Sequence, residues 1–83
     1  MEMQTINESL NSRISTLQPG HTIVIANEKH NSATVYRYPD GNGYTITQNG
    51  VGKGYRHINE VLDKINTTYK GYKYETQFGK QEW

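Results

Sequence analysis

Three histidines, His21, His30 and His57, and the carboxylates Glu28, Asp40, Glu60 and Asp63 are the side chains of this sequence best suited to acid–base or metal chemistry. Their spacing gives them little to do together. The histidines fall in three separate segments, and none is paired at the spacing that sets two imidazoles on one helix face. No cysteine joins them, which also removes disulfides, zinc thiolates and thiol nucleophiles. Asp40 stands in a Pro-Asp-Gly turn, where an aspartate commonly serves the turn itself. Glu60 and Asp63 lie three apart on the outer side of a helix-patterned segment, the ordinary place for solvated charge. General acid–base catalysis needs groups that converge in a cleft, and this pattern supplies none. The expectation is a chain without catalytic residues, metal site or cofactor: not an enzyme.

A second group could hold an anion. Gly50-Val51-Gly52-Lys53-Gly54-Tyr55-Arg56-His57 is glycine-rich and leads into a helix-patterned segment. Glycines let backbone amides converge, and a helix start carries partial positive charge. Gly52, Lys53, Gly54, Arg56 and His57 are therefore the candidate residues for a phosphate or a nucleic acid. The run lacks the Gly-Lys-Ser/Thr ending of a phosphate-binding P-loop, and no βαβ unit follows it. A plain flexible connection explains the same residues.

The third group is aromatic. Seven tyrosines stand in 83 residues, and several alternate with threonine. With Ile23, Ile25, Val35 and Ile46 turned to a core, Thr22, Val24, Thr34, Tyr36, Tyr38, Thr45 and Thr47 point the other way. A tyrosine offers a large rigid surface and one hydroxyl at low entropic cost, which suits an interface. Tyr and Thr are also simply good strand formers. Tyr36, Tyr38, Asp40, Asn42, Tyr44, Thr45 and Thr47 are the candidate partner-binding set, with Tyr44 on the Ile46 side of its strand.

The elements that would position these groups can be read from the hydrophobic pattern. Ile6, Leu10, Ile14 and Leu17 form one helical stripe from about Ile6 to Leu17, with Thr5 and Glu8 placed as a capping box and Pro19-Gly20 as the stop. Thr22-Ile23-Val24-Ile25 is β-branched and makes a strand through Ala26. Asn27 to Ser32 is a polar turn. Ala33 to Tyr38 and Tyr44 to Thr47 are two further strands, joined by Pro39-Asp40-Gly41-Asn42-Gly43, the strongest turn signal present. Asn49 to Gly54 is read as a flexible connection. Ile58, Val61, Leu62, Ile65 and Tyr69 trace a second helix, ended by Lys70-Gly71. Tyr72, Tyr74, Thr76 and Phe78 then alternate against Lys73, Glu75 and Gln77, which predicts a fourth, edge strand.

The fold class that follows is α+β, an αβββα(β) domain over residues 1–83. Its antiparallel sheet has three to four strands, with both helices packed on one face. An apolar share of 33% is low, but a net charge of only +1 sets the chain apart from disordered sequences. No run approaches the ~20 apolar residues that span a bilayer. The first residues lack the pattern of a signal peptide, and together with the missing cysteines this points to a cytoplasmic protein. A homodimer would enlarge the thin core.

Between the helices, Val35-Tyr36-Arg37-Tyr38-Pro39-Asp40-Gly41-Asn42-Gly43-Tyr44-Thr45-Ile46-Thr47 resembles the central part of small phage anti-CRISPR proteins that block a CRISPR effector nuclease. That resemblance implies a non-catalytic inhibitor that binds a protein complex of a bacterial host, in the host cytoplasm. The same stretch is similar to HicA-type toxin ribonucleases and the double-stranded-RNA-binding arrangement αβββα. This second resemblance implies nucleic-acid binding through Lys53, Arg56, His57 and His30. A protein that sequesters a phosphate or nucleotide at Gly50–Gly54 is the third expectation.

Overall fold

The computed structural model describes residues 8–79. Its elements are α1 (Glu8–Ser15), β1 (Thr22–Ala26), β2 (Ser32–Arg37), β3 (Tyr44–Gln48), β4 (Val51–Tyr55), α2 (Ile58–Thr67) and β5 (Lys73–Phe78). The five strands form one antiparallel sheet in the order β4-β3-β2-β1-β5. The α+β class, the antiparallel meander and the two helices follow the sequence expectation. The capping box assigned to Thr5 and the helix start at Ile6 lie outside the described residues.

One face of the sheet is dry. Ile23, Ile25, Ala33, Val35, Tyr44 and Ile46 turn to it and meet Leu10, Ile14 and Leu17 from α1 and the loop after it, and Val61 and Ile65 from α2. Tyr69 and Tyr72 close one end, their rings edge to face at 5.1 Å. The Tyr72 hydroxyl accepts from Gln48 Nε2 at 2.8 Å, so a buried phenol keeps its polar end satisfied. Fully burying one of these aliphatic side chains stabilises the fold by roughly 1.5–3 kcal/mol, and the stripe spacing of both helices serves that end.

The turns follow local chemistry. Asn27 Oδ1 accepts from the amides of Lys29 and Asn31, both at 2.9 Å, which folds the chain back between β1 and β2. In the Pro39–Gly43 turn, Asp40 Oδ1 accepts from the Asn42 amide at 2.8 Å.

Two sequence expectations are corrected. The first concerns Asn49–Gly54, read as a flexible connection. Asn49 and Gly50 adopt φ of 55° and 79°, the positive values that a two-residue primed hairpin turn demands. The chain therefore turns straight back, and Val51–Tyr55 pairs with β3 from Gln48↔Val51 to Tyr44↔Tyr55. The glycines that suggested flexibility sit in a strand. The second concerns the alternation in the last segment. β5 pairs with β1, but the register shifts between Val24 and Ile25, leaving Glu75 as the extra residue of a bulge. One added residue flips every later side chain to the other face. Tyr74 stays with the core, whereas Thr76 and Phe78 point away from it.

Candidate functional site

The strand registers place two uncharged rows across the face that no described helix covers. One runs Phe78–Thr22–Tyr36–Thr45–Gly54, the other Thr76–Val24–Thr34–Thr47–Gly52. Alternation in β1, β2 and β3 puts these residues opposite the buried ones, and the inner positions are half-buried. Phe78 is exposed at one side of the surface. No charged side chain interrupts either row.

Tyr36 and Tyr38 meet edge to face, with centroids 5.8 Å apart at 69°. Beyond them Tyr38 folds over the end of the sheet. Its hydroxyl accepts from Thr45 Oγ1 at 2.7 Å, and its ring lies against Gly43. The turn residues Asp40 and Asn42 are exposed next to it. Tyr36, Tyr38, Thr45, Thr47, Asp40 and Asn42 of the candidate set therefore share one region. Tyr44 does not. It is 7% exposed, belongs to the core, and has the Arg37 guanidinium 5.8 Å from its ring centroid.

Arg37 fastens this corner from the core side. Its Nη1 donates to the Leu17 carbonyl at 2.6 Å and its Nη2 to the Gly41 carbonyl at 3.4 Å. Nε is buried without a partner.

The anion candidates divide between two elements. Gly52, Lys53 and Gly54 lie in the extended strand β4, so their amides do not converge as a cradle would require. Arg56 and His57 precede α2, and the Glu60 carboxylate accepts from both of their amides, at 3.1 and 3.2 Å. The start of the helix thus holds its own anion. Lys53 is exposed, with Nζ 5.8 Å from the Tyr55 ring centroid.

Two phenols titrate above their ordinary range. Burial raises Tyr55, helped by the Glu60 carboxylate. Burial also raises Tyr69, with the nearby Tyr55 and Tyr72 adding to it. Neither lies on the open face.

A shallow depression of about 410 Å³ between the Asn27–Asn31 turn and Gly71 is lined by Glu28 and Lys29. Among the described residues no three His, Asp or Glu side chains gather to hold a metal. No helix there is long and apolar enough to cross a membrane.

Sequence reasoning missed Thr76 and Phe78 as parts of the open face, and β4 as its far border. The bulge leaves no signature in the alternation of β5. Asn49-Gly50, in contrast, is a hairpin signal that could have revealed β4. The chain matches no protein-family model, no curated protein and no solved structure.

Proposed function

We propose that this protein is a non-catalytic binding module that covers a partner protein's surface with the open face of its sheet. The observation that carries the reading is the uncharged Tyr, Thr and Val surface running across five strands, with Tyr36 and Phe78 flanking Thr22. The core of a protein interface is depleted in charge and enriched in aromatic residues. Phosphate recognition, by contrast, calls for several cations, and the two rows offer none. Inhibition of a bacterial defence complex is the finer form of this reading and rests on the resemblance of Val35–Thr47 alone.

Site-specific photo-crosslinking in cells tests it. A photoreactive residue at Thr34, in the middle of the face, gives a discrete protein adduct that Tyr36→Ala abolishes. The same residue at Asp63, on the outside of α2, does not. Equal adducts from both positions, or an adduct from Thr34 that is nucleic acid, would overturn the reading.

A further inference from the structure

Among the described residues β4 is an outermost strand, with no strand paired on its far side. Tyr38 donates its backbone N–H to the Gly43 carbonyl at 3.0 Å, which marks Tyr38 and Gly43 as a hydrogen-bonded pair at the end of the β2–β3 ladder. Alternation then turns the backbone groups of Thr45 and Thr47 toward β2 and those of Tyr44, Ile46 and Gln48 toward β4. Thr45↔Gly54 and Thr47↔Gly52 are consequently non-hydrogen-bonded pairs of the β3–β4 ladder. The N–H and C=O groups of Gly52 and Gly54 point outward, away from the sheet. The residues whose backbone faces the edge are thus the two without side chains.

The opposite edge is defended. β5 carries the Glu75 bulge and the charges of Lys73 and Glu75, devices that keep strands from adding. On β4 the one charged side chain is Lys53, which pairs with Ile46 and so stands on the side that carries the helices. On the open side Gly52 and Gly54 present no side chain of their own, and Thr47 leans over Gly52, where a Cβ would lie 3.0 Å from its Oγ1. A Cβ on Gly54 would lie 3.5 Å from the Tyr38 hydroxyl, an ordinary contact, so side chains of an added strand can reach Tyr38 from above.

We propose that the β4 edge accepts an extended segment of a partner protein as a sixth antiparallel strand. In that segment an acidic residue faces Lys53, and large apolar or aromatic residues on either side of it cover Gly52 and Gly54. The proposal rests on the protein-binding reading above and names its mode. Main-chain hydrogen bonds to Gly52 and Gly54 supply affinity, and alternate side chains supply selection. Charge argues against a second copy of this chain as the occupant. The self-pairing that matches Gly52 with Gly54 in both directions sets Lys53 directly against Lys53, at the closer, non-hydrogen-bonded position where like charges repel.

The test is titration of the full chain with an acetylated, amidated pentapeptide Thr-Tyr-Glu-Tyr-Thr, followed by the Gly52 and Gly54 amide resonances in NMR. Both shift and saturate. N-methylation of the peptide's two tyrosine amides, which face the edge, abolishes the shifts, whereas N-methylation of its glutamate amide, which faces solvent, leaves them. Gly54→Pro removes one outward donor without touching the β3 ladder and weakens binding roughly tenfold relative to Gly54→Ala, which keeps the donor. Lys53→Glu reverses the preference toward a peptide with lysine in place of glutamate. Absence of saturable shifts, indifference to which amide is methylated, or a dimer of the free chain held by β4 would overturn strand addition. The Thr34 crosslink is read separately: its persistence alongside a failed peptide titration leaves the open-face reading standing.

Discussion

The Tyr38 ring lies across Gly43 so closely that a Cβ on that glycine would fall 2.7 Å from Cδ2 and 2.8 Å from Cε2. Glycine is thus required here by the approach of a side chain, and its absent Cβ lets Tyr38 fold over the sheet end. The ring is also held by the Thr45 hydroxyl at 2.7 Å and by the edge of Tyr36. Gly43→Ala forces the ring off all three. A cost of about 1–3 kcal/mol is expected, as for other overpacked sites. Tyr38→Phe loses the hydroxyl bond alone and costs about 0.5–1.5 kcal/mol. Urea unfolding of both variants, with Tyr36–Tyr38 ring contacts followed by NMR, checks the order. A Gly43→Ala variant that keeps those contacts would show that the ring does not depend on the glycine.

Arg37 ties the end of the α1 loop to the hairpin turn through the carbonyls of Leu17 and Gly41. The same side chain buries an Nε with no partner, so its contribution is a balance of opposed effects. Arg37→Lys keeps the charge but cannot span both carbonyls, and is expected to cost about 1–2 kcal/mol. Arg37→Met removes the charge together with the orphaned nitrogen, and leaves the Leu17 and Gly41 carbonyls without this donor. It should cost less than Arg37→Lys, since a partly buried charge short of partners is worse than an apolar stem. Denaturant midpoints of the two variants decide the matter, and a larger loss in Arg37→Met would refute this account of the balance.

Much of this architecture is visible in residue spacing. Val61 and Ile65 on α2, and Ile23, Ile25 and Val35 on β1 and β2, are buried where their periods place them. Pro39–Gly43 turns where its residues demand. The remainder was hidden for physical reasons. Val51-Gly52-Lys53-Gly54-Tyr55 has weak strand propensity of its own, so Asn49-Gly50 is its one local signal, a turn that delivers it to a neighbour already in register. The bulge at Glu75 depends on how β5 meets β1, which no local pattern encodes. Every β1, β2 and β3 position of the two rows could therefore be named from alternation, whereas Thr76 and Phe78 required the pairing.

Glu60 closes the start of α2 by accepting from the amides of Arg56 and His57. Removing the carboxylate in Glu60→Ala leaves two donors at the helix end without their protein acceptor. The expected loss is about 0.5–2 kcal/mol, with faster hydrogen exchange at both amides. Glu60→Gln keeps an oxygen acceptor and gives up only the favourable charge at the helix N-terminus, so it should recover most of the loss. Equal losses in the two variants would mean that charge, rather than hydrogen bonding, dominates the cap.

Stability at high pH follows from the two raised phenols. Burial holds Tyr55 and Tyr69 protonated in the folded protein beyond the pH at which an unfolded tyrosine ionises, roughly 10. Above that pH the unfolded chain binds fewer protons than the folded one, so unfolding becomes easier as pH rises. The contribution is fully present below pH ~10 and is lost as pH climbs through the folded-state values. Chemical denaturation across this window should show a flat midpoint that then declines, and Tyr69→Phe should flatten the decline by removing one of the two groups. Glu60→Gln should lower the titration of Tyr55, followed by phenolate absorbance, while leaving burial as the larger cause of its shift. A decline unchanged in Tyr69→Phe would place the alkaline sensitivity elsewhere in the chain.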